Sequence, residues 1–233
     1  MLPRDVLMTQ FSLRVLKVAL VFGLGLSISA CSTTEAMNDA SDATKTATAS
    51  SKNHNMRWDH RPESDNWTDT ALEALRSHGS VLPSLVPHDI ETWCPGYATA
   101  SLEDREAFWI GLISTLAKHE STWNPAAVGG GGRWFGLVQI APSTARLYGC
   151  EARSGTALKN GSQNVSCAIR IMSRTVPRDG VVSRGMRGVA ADWGPFHSSK
   201  KRNDMIAWTN AQPFCQPKPE VKGPATLFKG MNG

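Results

Sequence analysis

The feature that most constrains this chain is an apolar stretch with a carboxyl at its end. Residues Phe108 to Leu116 are mostly apolar, and Glu120 follows 11, 7 and 4 residues after Trp109, Ile113 and Leu116. At about 100° per residue, these four positions share one face of a helix. Ser101 followed by Asp104 is a capping start, and Glu103 and Glu106 suit the positive end of the helix dipole. The spacing therefore predicts a helix over 102–121 with an acid on its buried face. Burial disfavours a charged carboxylate, so such an acid holds its proton near neutral pH and can donate it. The competing reading is a half-exposed Glu at a fraying helix end, paired with Lys118 or His119.

Helical periodicity recurs at Ala71, Leu72 and Leu75, and alternating strands of useful length do not occur. Further helices are expected near 142–149, 161–175, 184–193 and 199–208, separated by Gly, Pro and Asn. The expected fold class is mostly α. The 233 residues allow one domain of roughly 150 residues with flanking segments.

Those flanks have their own signals. Arg4, Arg14 and Lys17 precede a charge-free run from Val18 to Ala30, ending in Ile28, Ser29, Ala30 and Cys31. This reads as a signal peptide over residues 1–30, because the run is shorter than the ~20 apolar residues of a spanning helix. Ile-Ser-Ala-Cys resembles the bacterial lipobox, which implies cleavage before Cys31, its acylation and attachment to a membrane by that lipid. By analogy with such lipoproteins, Ser32 points to the periplasmic face of the outer membrane rather than the inner one. Residues 31–66, rich in Ser, Thr, Ala, Asp and Lys, bury too little apolar surface to fold alone. They read as a tether of about 35 residues with a coil span of roughly 30 Å. The folded domain is expected over 67–215 and a loose tail over 216–233.

Removing residues 1–30 leaves 22 basic against 19 acidic side chains, since Arg4, Arg14, Lys17 and Asp5 leave together. That balance is too small to argue for nucleic acid as a partner, and the Lys200, Lys201, Arg202 run reads as a solvated turn. Setting Cys31 aside leaves Cys94, Cys150, Cys167 and Cys215, an even number in an exported and therefore oxidising setting. Of the three connectivities, Cys150 with Cys167 and Cys94 with Cys215 is favoured. No Cys-x-x-Cys is present and no histidines repeat at zinc spacing, so no metal site is expected.

Glu120-Ser121-Thr122-Trp123-Asn124-Pro125 is followed by glycines at 129–132, by Arg133, Trp134 and Phe135, and then by Gly136-Leu137-Val138-Gln139-Ile140-Ala141-Pro142-Ser143-Thr144. This pattern resembles the lytic transglycosylases related to goose-type lysozyme. That family has a Glu-Ser ending a helix, an Asn-Pro soon after, and a Gly-Leu-Met-Gln-Ile-x-Pro-x-Thr stretch. The resemblance runs from about Cys94 to Trp208 and takes in Asn164, Val165 and the Ala191–Phe196 stretch. It implies a lysozyme-like helical domain, here with two disulfides, acting on peptidoglycan glycan strands without a cofactor.

Carried over by position, Glu120 resembles the catalytic acid and base, Ser121 a positioning neighbour and Gln139 a sugar contact, with the Gly136–Ile140 backbone lining the cleft. The resemblance implies cleavage between N-acetylmuramic acid and N-acetylglucosamine with closure of a 1,6-anhydro ring. Of the aromatics near these motifs, Trp123, Trp134, Phe135, Trp193 and Phe196, the first choice for a sugar platform is Trp193. The pattern departs from the family at Gly129, where many members carry Ser, at Ala141, and at Asp192, where Tyr is common. The glycine run reads as a flexible rim. Ordinary glycosidases flank the bond with two carboxylates. No second one is evident beside Glu120, although Asp179 and Asp192 remain open as partners. Two other readings fit the same residues: a hydrolase that uses water, and a catalytically silent wall-binding lipoprotein.

Overall fold

The computed structural model describes residues 54–218. Cys31, the expected signal peptide, most of the expected tether and nearly all of the expected tail lie outside the described residues. In chain order the helices are α1 (Ser64–Arg76), α2 (Val81–Ser84), α3 (Ile90–Trp93), α4 (Leu102–Ser121), α5 (Pro142–Leu147), α6 (Gly155–Leu158), α7 (Gly161–Asp179) and α8 (Ser199–Asn210). Between α4 and α5 lies a small antiparallel hairpin of β1 (Val128–Gly129) and β2 (Trp134–Phe135).

Helix α4 begins where its cap predicts, with the Asp104 N–H donating to Ser101 Oγ at 3.2 Å. Its burial exceeds the sequence expectation. Every residue from Ala107 to Ala117 is buried, on all sides rather than along one stripe. A helix buried all round belongs in the interior of a fold. Helices α2 and α8 and the turn Pro213–Cys215 pack about α4, while α1 lies along α7. Glu106, expected only to favour the dipole, is 2% exposed and receives Arg76 of α1 through two hydrogen bonds, at 3.0 and 2.9 Å. That paired geometry is the one in which a buried carboxylate is tolerated.

The fold starts before residue 67, which corrects the expected boundary. Met56 and Trp58 are buried, and Trp58 Nε1 donates to Thr68 Oγ1 at 3.0 Å. Arg57, between them, reaches Thr115 Oγ1 on α4 at 2.7 Å. The polar composition of the stretch around these residues hides two large apolar side chains, each worth about 1.5–3 kcal/mol when fully buried.

Three further differences follow from backbone chemistry. The helix expected over 184–193 is instead two 3-10 turns, Arg184–Met186 and Gly188–Ala191, because Gly185, Met186 and Gly188 take positive φ. The Asp89 carboxylate holds this segment by accepting the N–H groups of Val182, Ser183 and Arg184 at 2.6–2.9 Å. Helix α7 continues past Pro177 to Asp179 and stops at Gly180, whose φ of 68° is a left-handed cap. The glycine run forms the tip of the hairpin, with Gly130, Gly131 and Gly132 at φ 57°, 66° and 91°. Three successive positive-φ residues need glycine.

Two disulfides close the domain. Cys94–Cys215 joins the end of α3 to the Pro213–Cys215 turn across 121 residues, and Cys150–Cys167 fastens the segment after α5 to α7 across 17.

Candidate active site

Glu120 lies in the last turn of α4, where the chain is forced to reverse. Thr122 and Trp123 take φ of 51° and 57°, a conformation that costs non-glycine residues energy and persists only when the surroundings impose it. The surroundings here are specific. The N–H groups of Thr122 and Trp123 donate to Lys118 O and Ala117 O, and Trp123 Nε1 donates to Ser114 O at 2.8 Å. Ser121 Oγ donates to Leu137 O at 2.7 Å, tying the end of α4 to the Gly136–Ile140 loop. Ser121 thus sits where a positioning residue would.

The carboxyl of Glu120 faces a cleft of about 370 Å³, also lined by Trp134, Gln139, Asp192, Trp193 and Lys201. Burial pushes it from 4.5 up to about 7, against a smaller lowering by the Lys201 ammonium. No group among the described residues hydrogen-bonds it. The sequence alternative paired Glu120 with Lys118 or His119, but both turn away. Lys118 Nζ lies 3.1 Å and His119 Nε2 2.7 Å from the Asp204 carboxylate on α8, which Arg57 also grips at 2.6 and 3.0 Å. These partners hold Asp204 well below the usual carboxylate range, Arg57 first among them. Cavities of comparable size lie between α1 and α7 and beside Arg184 and Arg202, at about 290 and 330 Å³, so chemistry rather than volume singles out the Glu120 cleft.

The loop facing Glu120 is built around Asn164, which is fully buried in α7. Its Oδ1 accepts the Val138 N–H, and its Nδ2 donates to Phe135 O and Leu158 O, all at 3.0 Å. Gly136 has φ 84°, and a Cβ there would sit 2.1 Å from Leu158 O. Gln139 also has a positive φ, 51°, and its Nε2 donates to Gly136 O at 2.8 Å and Ala127 O at 3.3 Å. With both amide hydrogens used, its Oε1 is what remains for a ligand. That oxygen lies 2.3 Å from where a Cβ on residue 129 would be, so a side chain there would have to displace it.

Trp193 requires a correction. It is 3% exposed and its Nε1 donates to Val138 O at 2.7 Å, so it buttresses the loop and offers the cleft little ring surface. Phe196 is buried against Trp93. The open ring is Trp134, 42% exposed on β2, with the Arg133 guanidinium 4.8 Å from its centroid. Spacing alone could not separate the two tryptophans, because which ring is covered depends on the loop folded over it. Asp192 lines the same cleft; its carboxyl is raised by burial and contacts Tyr148 Oη at 3.5 Å. Asp179 is elsewhere, paired with Arg178 and the Gly188 N–H. Lys201 was hidden in a basic run. The only signal for it was Ser198, which caps α8 and places Lys201 in its first turn.

The fold and site together define a mostly α, lysozyme-like domain with a single acid presented at the end of its central helix. Residues 99–183 match the family described as Transglycosylase SLT domain. Among solved structures, the chain is similar to two glutamate-to-glutamine mutants of DslA. One is 27% identical with a TM-score of 0.62, covering 68% of this chain and 95% of that one. The other is 26% identical with a TM-score of 0.63, covering 69% and 97%. Wild-type DslA in form 2 is 25% identical with a TM-score of 0.58. No curated protein matches the chain in sequence.

Proposed function

We propose that this chain is a peptidoglycan lytic transglycosylase in which Glu120 acts first as general acid and then as general base. The observation that carries the reading is the Glu120 carboxyl itself: in a cleft, free of hydrogen bonds within the described residues, and raised to about 7 by burial. A protonated acid of that strength suits proton donation near neutral pH. Glu120 protonates the oxygen linking N-acetylmuramic acid to N-acetylglucosamine, and the bond breaks through an oxocarbenium-like state assisted by the acetamido group. The resulting carboxylate, stabilised by Lys201, takes a proton from the C6 hydroxyl. The C6 oxygen then closes the 1,6-anhydro ring, and Glu120 is protonated again. The match to the Transglycosylase SLT domain supports this assignment. We also propose that residues 1–30 direct export and that Cys31 carries the lipid, on the outer-membrane side of the periplasm; the support is the sequence motif together with the two disulfides.

A second reading rests on Asp192, which lines the same cleft. A second carboxylate able to activate water would make the enzyme a hydrolase. Mass spectrometry of digested cell-wall glycan separates the two. Products ending in 1,6-anhydro-muramic acid are expected; reducing ends would favour hydrolysis with Asp192. Glu120→Gln is expected to abolish cleavage while still binding glycan, and unchanged cleavage would defeat both readings.

A further inference from the structure

The side chain of Lys201 is a cation on the wall of the Glu120 cleft. Its backbone is fixed, since its N–H donates to Ser198 Oγ at the start of α8. Three residues further along the same helix, Asp204 is the acid that would ordinarily pair with it. That carboxylate is already occupied by Arg57, Lys118 and His119. No carboxylate among the described residues lies within ion-pair distance of the Lys201 ammonium. Its charge therefore stands in the cleft beside an acid that must stay protonated, where it opposes that protonation. Asp192 also lines the cleft, and it makes no ion pair with Lys201. An uncompensated cation on one wall of a groove selects ligands that bring an anion to that wall.

We propose that Lys201 is a specificity residue whose ammonium binds a carboxylate on the muramyl side chain, so that the cleft takes anionic strands in preference to neutral amino-sugar polymers. This rests on the peptidoglycan reading of the Glu120 cleft. The carboxylate has two sources of one chemistry: the lactyl ether of a strand stripped of its peptide, or the stem peptide of an intact one.

The test uses the full chain carrying Glu120→Gln, so that ligands bind without being cleaved. Dissociation constants are measured for three probes of equal sugar length: peptide-free strands, stem-bearing strands and neutral chito-oligosaccharide. Adding Lys201→Gln is expected to weaken binding of at least one carboxylate-bearing probe about fivefold, a size set by one exposed ion pair. Whichever probe loses affinity identifies the source. That loss should shrink as salt is raised, chito-oligosaccharide binding should be unchanged, and Lys201→Arg should restore affinity. Equal losses for all three probes, or no loss for any, would overturn the role of Lys201 while leaving the cleft reading intact. Failure of the Glu120→Gln parent to bind any probe would overturn the cleft reading, and this proposal with it.

Discussion

Replacing Glu120 with Gln should make the protein more stable at alkaline pH and leave it unchanged at acid pH. The folded chain holds the Glu120 proton up to about 7, whereas the unfolded chain releases it near 4.5. Between those values the folded state binds more protons than the unfolded one, so stability falls as pH rises through that window. The contribution is fully present below about 4.5 and lost above about 7. At about 1.4 kcal/mol per pH unit, a shift from 4.5 to about 7 amounts to about 3.5 kcal/mol. The carboxyl is open to the cleft, and solvent there screens it, so about 1.5–2 kcal/mol is the working figure. Glutamine has the shape of the protonated acid and never ionises, so it keeps that stability at every pH. For a domain of this size, 1 kcal/mol is about 2–4 °C. Thermal unfolding of the full chain at pH 8 should therefore give the Gln variant a Tm about 3–8 °C above wild type, converging by pH 4. Other titrating groups are common to both proteins and cancel. A Tm difference equal at both pH values, or a Gln variant melting lower at pH 8, would refute the claim that Glu120 is held protonated by burial.

Other consequences are open to the same kind of test. Cleavage of purified wall should fall as pH rises through about 7, because the acid must carry its proton. Asp204→Asn should move that fall to lower pH, since Arg57 and Lys118 lose their anion and their charge then acts on Glu120; an unmoved pH–rate profile would count against it. A chain beginning at residue 67 should melt about 10 °C or more below one beginning at 54. It lacks Trp58, whose removal from a core typically costs 3–5 kcal/mol, and the Arg57 bonds to α4 and α8.

What could be read in the sequence depended on how local its physics was. The limits of α4 follow from Ser101, Asp104 and the reversal after Ser121, all within a few residues of the helix ends, and its bounds match the expected 102–121. The position of Glu120 in the last turn of α4 is legible for the same reason, although burial of the helix on all sides means that no single stripe marks it out. The misplacements involve partners distant in the chain. Met56 and Trp58 are apolar residues in a polar stretch, and only their burial and the hydrogen bond of Trp58 to α1 show that they belong to the core. The 3-10 turns over 184–191 depend on Asp89, almost a hundred residues away, capping three backbone N–H groups. Trp193 and Trp134 are chemically alike; a carbonyl at Val138 decides which one is buried. The SLT match over 99–183 leaves out both Arg57 and Lys201, although both bear on the charge around Glu120.

That last omission shows how the acid is kept acidic. Glu120 immediately follows Lys118 and His119, and in an isolated helix an adjacent ammonium would favour the carboxylate and lower its pKa. The fold removes that influence by supplying a better anion. Asp204, on α8, draws both side chains and Arg57 to itself. Helix α8 therefore has two effects one turn apart: Asp204 takes cations away from Glu120, and Lys201 returns one to the cleft. A single cation leaves the carboxyl near 7, where it can both give and recover a proton. With no cation the proton would be harder to give, and with the charges of Lys118 and Arg57 added it would leave at lower pH. Burial raises the acid, and the position of α8 against α4, which the disulfide at Cys215 and the strap at Arg57 both help to fix, sets how much of that rise a cation takes back.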